Sequence, residues 1–198
     1  IRPQKEKEMP EITEVSLQLA GPFIEQWHYS GKTPTGKNIF WGWIDNMDCI
    51  YSIADYGIGV NPYQAEFLAR EMNQPVTKDN LIELKRLCRR EPRVEEWPLS
   101  SFLSKCHKQL SNLGFRYVVS FSDPAHGHNG GIYKASSFDH LGQTQAEWHL
   151  EDVDGGFHHR RYAYRYAQRK GVTLAEARKI LGLTRVKTPP KDRWVKQI

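Results

Sequence analysis

The run from Val118 to Tyr133, VVSFSDPAHGHNGGIY, constrains this chain more than any other part of it. Its β-branched start ends in polar residues, breaks at Asp123-Pro124, and passes through two histidines and three glycines. Apolar residues then recur at Ile132, Ala135, Phe138 and Leu141 and stop at Gly142. That pattern predicts a buried strand feeding a helix through a Gly-rich turn. Such turns leave backbone amides for a ligand. Asp123, His126 and His128 fall at the junction, where sites of α/β proteins tend to lie, outside the carboxyl ends of strands.

The remainder of the chain supplies partners for such a strand. Ile12, Val15, Leu17 and Leu19 alternate weakly and predict a first strand within residues 1–21. Residues 28–37 read as a loop whose glycine spacing is not that of a P-loop. Two strands are expected within 38–56, turning at residues 45–48, and then a helix over 63–72 with Asn61 as its cap. A strand over 80–88 runs into a basic loop. Phe102, Leu103, Cys106 and Leu110 give 99–113 helical period, with Ser100 or Ser101 as cap and Gly114 as stop. A short strand pair is expected around Trp148 and Phe157. Thr173 with Glu176 forms a capping box opening a helix that ends at Gly182, which is also how one half of a helix-turn-helix reads. Mixed strands with interleaved helices indicate an α/β or α+β fold.

At 198 residues the chain can bury a sizeable core. No apolar run is long enough for a membrane span, and residues 1–8 hold no apolar signal core, although a chain that opens on Ile can have been trimmed. Cys49, Cys88 and Cys106 form no CxxC pair and read as reduced thiols of a cytosolic protein. Charge is lopsided. Residues 158–198 carry twelve Lys or Arg against Glu176 and Asp192, a net +10 in a chain of net +5, which leaves −5 elsewhere. Tyr162, Tyr164, Tyr166 and Trp194 interleave with the cations, a mixture suited to phosphate contacts and base stacking. Two regions are therefore expected: a body over 1–157, and a basic, aromatic-rich extension over 158–198 that binds DNA through Arg160, Arg161, Tyr162, Arg165, Arg169, Lys170, Lys191 and Arg193, the alternative being a solvated basic tail.

His28-Tyr29-Ser30-Gly31 with Pro34, Glu83-Leu84-Lys85-Arg86-Leu87, Ser101-Phe102-Leu103, Ser120–Pro124 and His128–Ala135 together resemble the phage Mom DNA-modification proteins, in the right order and over about residues 27–142. The resemblance implies a GNAT-like acyltransferase fold: a central mixed sheet flanked by helices, here with a basic C-terminal helical tail. It further implies a phage- or prophage-encoded transferase that acts in the bacterial cytoplasm. Such an enzyme converts the exocyclic amine of adenine in double-stranded DNA to a carbamoylmethyl (acetamido) derivative that blocks restriction. The target base must leave the stack to be reached. Two departures from ordinary GNAT enzymes stand out. The stretch Arg89-Arg90-Glu91-Pro92-Arg93 lacks the glycines of a pyrophosphate loop, which leaves acyl-CoA binding open, and Phe138 stands where a tyrosine acid is often found.

Asp123 is the first candidate for accepting a proton from the adenine amine or orienting it, the alternative being a turn-capping Asp. Tyr29 can stack on a flipped base or donate a proton. Arg86, Arg89 and Arg90 can bind donor phosphate, with an ordinary ion pair as the alternative for Arg86. Ser101 offers a hydroxyl beside helix-terminal amides. Asp123, His126 and His128, with Tyr133 near, offer a ligand set of two His and one carboxylate that suits iron, against turn-forming or acid–base roles. His158-His159 reads as part of the basic strip. The competing functions are an acetyl-CoA-dependent N-acetyltransferase of a protein or small amine, and a non-enzymatic DNA-binding protein. No residue identifies the donor of the two-carbon amide.

Overall fold

The computed structural model describes residues 10–33, 35–59, 61–91, 97–158 and 161–198. Contacts divide the chain into two units. Unit 1 runs to Ser122 and adds Asn129–Gly142 and Arg193–Ile198; unit 2 holds Asp123–His128 and Gln143–Asp192. The division does not fall at residue 157, because the last strand of the chain belongs to the large sheet.

Unit 1 contains β1 (Glu11–Val15), α1 (Leu17–Trp27), β2 (Asn38–Ile44), β3 (Ile50–Gly57), α2 (Gln64–Met72), β4 (Leu81–Arg89), α3 (Leu99–Asn112), β5 (Tyr117–Ser122), α4 (Gly131–Ala135) and β6 (Asp139–Gln143). Within the second unit lie β7 (Trp148–Glu151), β8 (Phe157–His158), α5 (Arg161–Lys170), α6 (Leu174–Ile180) and β9 (Thr184–Lys187), after which β10 (Asp192–Gln197) closes the chain. The seven-stranded sheet has the order β1-β2-β3-β4-β5-β10-β6. Its first four strands pair antiparallel, while β4 and β5 run parallel.

Strand alternation sorts the core onto two faces. Trp41, Trp43, Ala54, Tyr56, Ile82, Leu84, Val118 and Trp194 pack with Phe102, Leu103, Cys106 and Leu110 of α3. Their alternates Phe40, Ile53 and Cys88 pack with Ala20 and Ile24 of α1, and Tyr117, Val119 and Val195 with Ala65 and Leu68 of α2. Four expectations needed correction. Residues 17–27 form a helix, because its buried stripe is Ala20 and Ile24, whereas the alternating Leu17 and Leu19 are 47% and 57% exposed. The helix after the Gly-rich turn stops at Ala135, where Ser137 adopts φ 57° and the chain enters β6, so Phe138 and Leu141 lie outside it. Pro98, not a serine, is the N-cap of α3. The N-cap of α2 is Tyr63, not Asn61, whose side chain accepts the Tyr63 amide at 3.0 Å in the turn before the helix; the hairpin, α2, β4 and β5 otherwise lie within a few residues of their expected places.

Unit 2 is a three-stranded ribbon, β8-β7-β9, whose Leu150 packs with Ala163 of α5 and with Leu183. The capping box at Thr173 and Glu176 is present. The basic segment is therefore not wholly helical: it gives two helices, then β9 and β10. Among the described residues no helix is long and apolar enough to cross a membrane. Cys88 and Cys106 are buried and Cys49 half-buried, all as free thiols.

Candidate active site

The parallel ladder of β4 and β5 runs only from Leu81–Tyr117 to Leu84–Ser120. Past that pair both strands continue, β4 to Arg89 and β5 to Ser122, with no further pairing between them among the described residues. A bulge lies at the start of the divergence: Asp55 faces Arg86 while Tyr56 faces Leu84, so Lys85 is the extra residue. The bulge changes the side-chain parity of β4. Arg86 consequently meets the fully buried Asp55 and donates from Nη1 to Oδ2 at 3.3 Å. The ion-pair alternative for Arg86 is thus the observed one. Burial raises the Asp55 carboxyl above its ordinary range, and the Arg86 charge opposes that shift.

Where the ladder ends, Ser120 Oγ donates to Leu84 O at 2.8 Å and lies 2.8 Å from Tyr133 Oη. A serine hydroxyl has one hydrogen, so the Tyr133 hydroxyl is the donor in the second bond. Tyr133, on α4, is 9% exposed. Burial raises its phenol above the ordinary range, and the charges of Tyr29 and Glu83 act in the same direction. Tyr133 is therefore held protonated within a polar group of Ser120, Tyr29 and Glu83. Tyr29 is 49% exposed, its ring 4.3 Å from that of His28. The helix following β5 thus does carry a tyrosine, and Phe138 is a core residue beyond its end.

Trp194 of β10 forms one wall. It stacks on Tyr133 at 5.7 Å and donates from Nε1 to Ser122 Oγ at 2.9 Å. At 3% exposure it is no stacking platform for nucleic acid. Arg193 departs from its expected role too: it is half-buried over the Phe67 ring at 4.1 Å and donates to Leu141 O at 3.2 Å, so it braces the sheet. Arg89 pairs with Glu91 at 3.9 Å, and the Arg90 amide donates to Tyr51 O at 2.9 Å. Ser101 sits in the first turn of α3, which has no side-chain cap, and its amide donates to Pro98 O at 2.9 Å. Residues 92–96, in the loop that was a candidate for phosphate binding, lie outside the described residues, as does Pro34.

In unit 2 the turn after β5 consumes its own amides. His126 and His128 N–H donate to Asp123 O at 3.0 and 3.2 Å, and Gly127 N–H to Pro124 O at 3.0 Å. They are thus not open to a ligand as the glycines suggested. The Asp123 side chain is 10% exposed, with Oδ2 3.0 Å from Lys191 Nζ and 3.5 Å from His126 Nδ1. An ammonium on the carboxylate disfavours a second cation there, and among the described residues no three His, Cys, Asp or Glu side chains converge on one point. The iron set of Asp123, His126 and His128 is accordingly not formed. Lys191 is an ion-pair partner of Asp123.

Helix α5 buries Ala163 and Ala167 and exposes Arg161, Tyr162, Tyr164, Arg165, Arg169 and Lys170. Arg161, Arg165 and Arg169 recur every four residues, one above another along a face about 12 Å long. The Tyr162 ring stacks on His158 at 4.6 Å, and His158 Nε2 lies 2.6 Å from Asp152 Oδ2. Arg160 and His159 lie outside the described residues.

The model of the Mom protein family matches residues 10–195. The chain belongs to the Mom family. Among curated proteins, the methylcarbamoylase Mom of Escherichia phage Mu is 25% identical over 150 residues, covering 75% of this chain; the chain spans 59% of that protein's length. Among solved structures, a GNAT superfamily phosphinothricin acetyltransferase from Sinorhizobium meliloti, in complex with acetyl-CoA, superposes with TM-score 0.53 at 11% identity, over 96% of this chain and 89% of that one. The polyamine N-acetyltransferase of Drosophila melanogaster gives 0.53 at 8% identity, over 95% and 99%. Likenesses at such low identity show the fold: this Mom-family chain has a GNAT-like acyltransferase fold.

The sequence passed over Asp55, and named Glu83, Ser120 and Tyr133 without these roles. The signal for the acids was present: each is a carboxylate set into an otherwise apolar strand, between Ala54 and Tyr56 and between Ile82 and Leu84.

Proposed function

We propose that this protein is a phage DNA-modification transferase that places a carbamoylmethyl unit on the exocyclic amine of adenine in double-stranded DNA, protecting it from restriction inside the host cell. The observation that carries this reading is the Mom family match across residues 10–195, whose curated relative is named a methylcarbamoylase. The acyltransferase fold, the divergence of β4 from β5 and the exposed arginines of α5 support it.

Forming the new bond from the amine nitrogen to carbon releases one amine proton, so a base must receive it. Glu83, adjacent to Leu84 at the end of the β4–β5 ladder, is the carboxylate of unit 1 suited to that task, and Asp123, paired with Lys191, is the second candidate. The protonated Tyr133, oriented by Ser120, supplies a proton to the leaving group, and Tyr29 offers an exposed ring for the base to stack on. Arg89, Arg90 and the Ser101 hydroxyl are the groups that would hold a phosphorylated donor such as acyl-CoA. An acyl-CoA held there would supply an activated carbonyl and a thiolate leaving group, which is the chemistry of amide formation, whereas a carbamoylmethyl unit would need a donor that carries its leaving group on the methylene carbon.

Tyr133 on the helix after β5 also favours a second reading, acyl-CoA-dependent transfer to another amine. One experiment separates the two: express the chain, digest host DNA to nucleosides, and search by mass spectrometry for deoxyadenosine heavier by a carbamoylmethyl group. Its presence supports the first reading. Unmodified DNA together with thiol release from acyl-CoA and a small amine supports the second.

A further inference from the structure

Unit 2 contains a cleft of about 590 Å³ lined by Gln145–Leu150, Leu174, Arg178 and Arg185. One wall is the ribbon. Trp148 pairs with Lys187 and Leu150 with Arg185, which puts Arg185 diagonal to Trp148 on the same ribbon face. The Arg185 guanidinium sits 4.6 Å from the indole centroid, yet Trp148 remains 49% exposed. The other wall is α6, where Leu174 and Arg178 lie one turn apart; Leu174 is 42% exposed and Arg178 Nε donates to Leu174 O at 3.3 Å. The acid lining the cleft, Glu147, lies 3.7 Å from His149.

Half-exposed tryptophan and leucine in one concavity leave apolar surface in water at a cost, which a flat ring would relieve. Two guanidinium groups beside that surface select a ring joined to an anionic group such as a phosphate. The volume falls in the range of small-ligand sites, about 300–1,000 Å³. An indole flanked by arginines is the combination that holds single-stranded nucleic acid, the base on the ring and the backbone on the cations.

We propose that this cleft is a nucleotide subsite: an unpaired nucleotide of a DNA strand stacks its base on Trp148 while Arg178 and Arg185 contact the adjoining phosphates. It rests on the reading of the protein as one that acts on DNA, where opening the duplex to reach an adenine leaves unpaired nucleotides beside the target. The subsite is additional to the residues assigned to chemistry and to the arginines of α5.

The test measures fluorescence anisotropy of the full chain with two labelled duplexes of equal length, one fully paired and one with a short single-stranded gap. Wild type should prefer the gapped duplex. Trp148→Ala should lose affinity for it by about 5- to 150-fold, the equivalent of one stacked base, with little change on the paired duplex. Trp148→Phe, which keeps a stacking face, should retain most of the preference. Arg178→Gln and Arg185→Gln should each lower the slope of log affinity against log salt by about 0.7 on the gapped substrate. Circular dichroism and thermal melting of every variant establish that the fold is kept. Gapped-duplex affinity of Trp148→Ala within twofold of wild type overturns the proposal. So does displacement of the gapped duplex by free AMP at its own dissociation concentration, which makes the cleft a site for a free nucleotide. Failure of the DNA-modification reading is read separately, as unmodified host DNA by mass spectrometry.

Discussion

Gly130 and Gly131 are adjacent glycines of one turn with opposite expected tolerance to a methyl group. Gly130 is the N-cap of α4 at φ 73°, and a Cβ there would stand 2.1 Å from Cζ2 of Trp194. Gly131 has ordinary φ, and its Cβ would meet only Asn129 Oδ1, at 3.2 Å, on an exposed side chain that can move. Gly130→Ala forces a left-handed alanine, about 1–3 kcal/mol. It also overpacks a rigid buried indole, about 1–3 kcal/mol more. The sum, about 2–6 kcal/mol, corresponds to a fall in melting temperature of about 4–24 °C at this chain length. Trp194 must shift, which loosens its bond to Ser122 and its stacking on Tyr133. Gly131→Ala should stay within about 1 kcal/mol of wild type, since alanine also favours helix at that position. Urea denaturation of both variants, followed by tryptophan emission, measures the difference. Equal effects of the two substitutions would refute the assignment of Trp194 as the packing partner of this turn.

His107 is 4% exposed with neither ring nitrogen hydrogen-bonded, and burial lowers its pKa from 6.5 to about 4. The unfolded chain takes up a proton between those values that the folded chain refuses, so stability is whole above pH 6.5 and falls by about 3 kcal/mol as pH drops to 4. Denaturation of wild type and His107→Leu across that window should show the component only in wild type; parallel curves would contradict it. Tyr133→Phe should cost about 1 kcal/mol of stability through the Ser120 bond but about 10²–10⁴-fold in modified nucleoside formed per unit time, and unchanged turnover would remove Tyr133 from the chemistry. Arg86→Ala strands the buried Asp55 carboxylate and should destabilise by about 3–5 kcal/mol in urea titrations, whereas Arg86→Ala with Asp55→Asn should recover part of that loss. Replacing Arg161, Arg165 and Arg169 together by Gln should flatten the salt slope of duplex binding by about 0.9 for each phosphate contact removed; an unaltered slope would place the grip elsewhere.

Much of unit 1 was legible because its signals are local. The hairpin turn at Asp45, the period of α3 and the strand before Ser122 each follow from spacing within a dozen residues. Helix α1 was missed because Leu17 and Leu19 alternate on a face that stays in water, while its buried stripe includes an alanine that carries little hydrophobic signal. The candidate site was half legible. Tyr29, Arg86 and Asp123 were singled out, but Arg86 and Asp123 proved to be held by Asp55 and Lys191, partners 31 and 68 residues away in the chain.

The sequence by itself determined the hairpin, α2, α3, β4 and β5, the family and the concentration of cationic charge in residues 158–198, since periodicity, motif order and net charge are properties of neighbours on the chain. Tertiary structure alone decided which of those groups meet. A one-residue bulge at Lys85 changed which face Arg86 occupies. The return of β10 to the large sheet buried Trp194 and engaged Arg193, two residues whose composition reads as nucleic-acid binding. The physical reason is the same in both cases. Side-chain direction in a sheet depends on register, and register is set by pairing with strands distant in sequence.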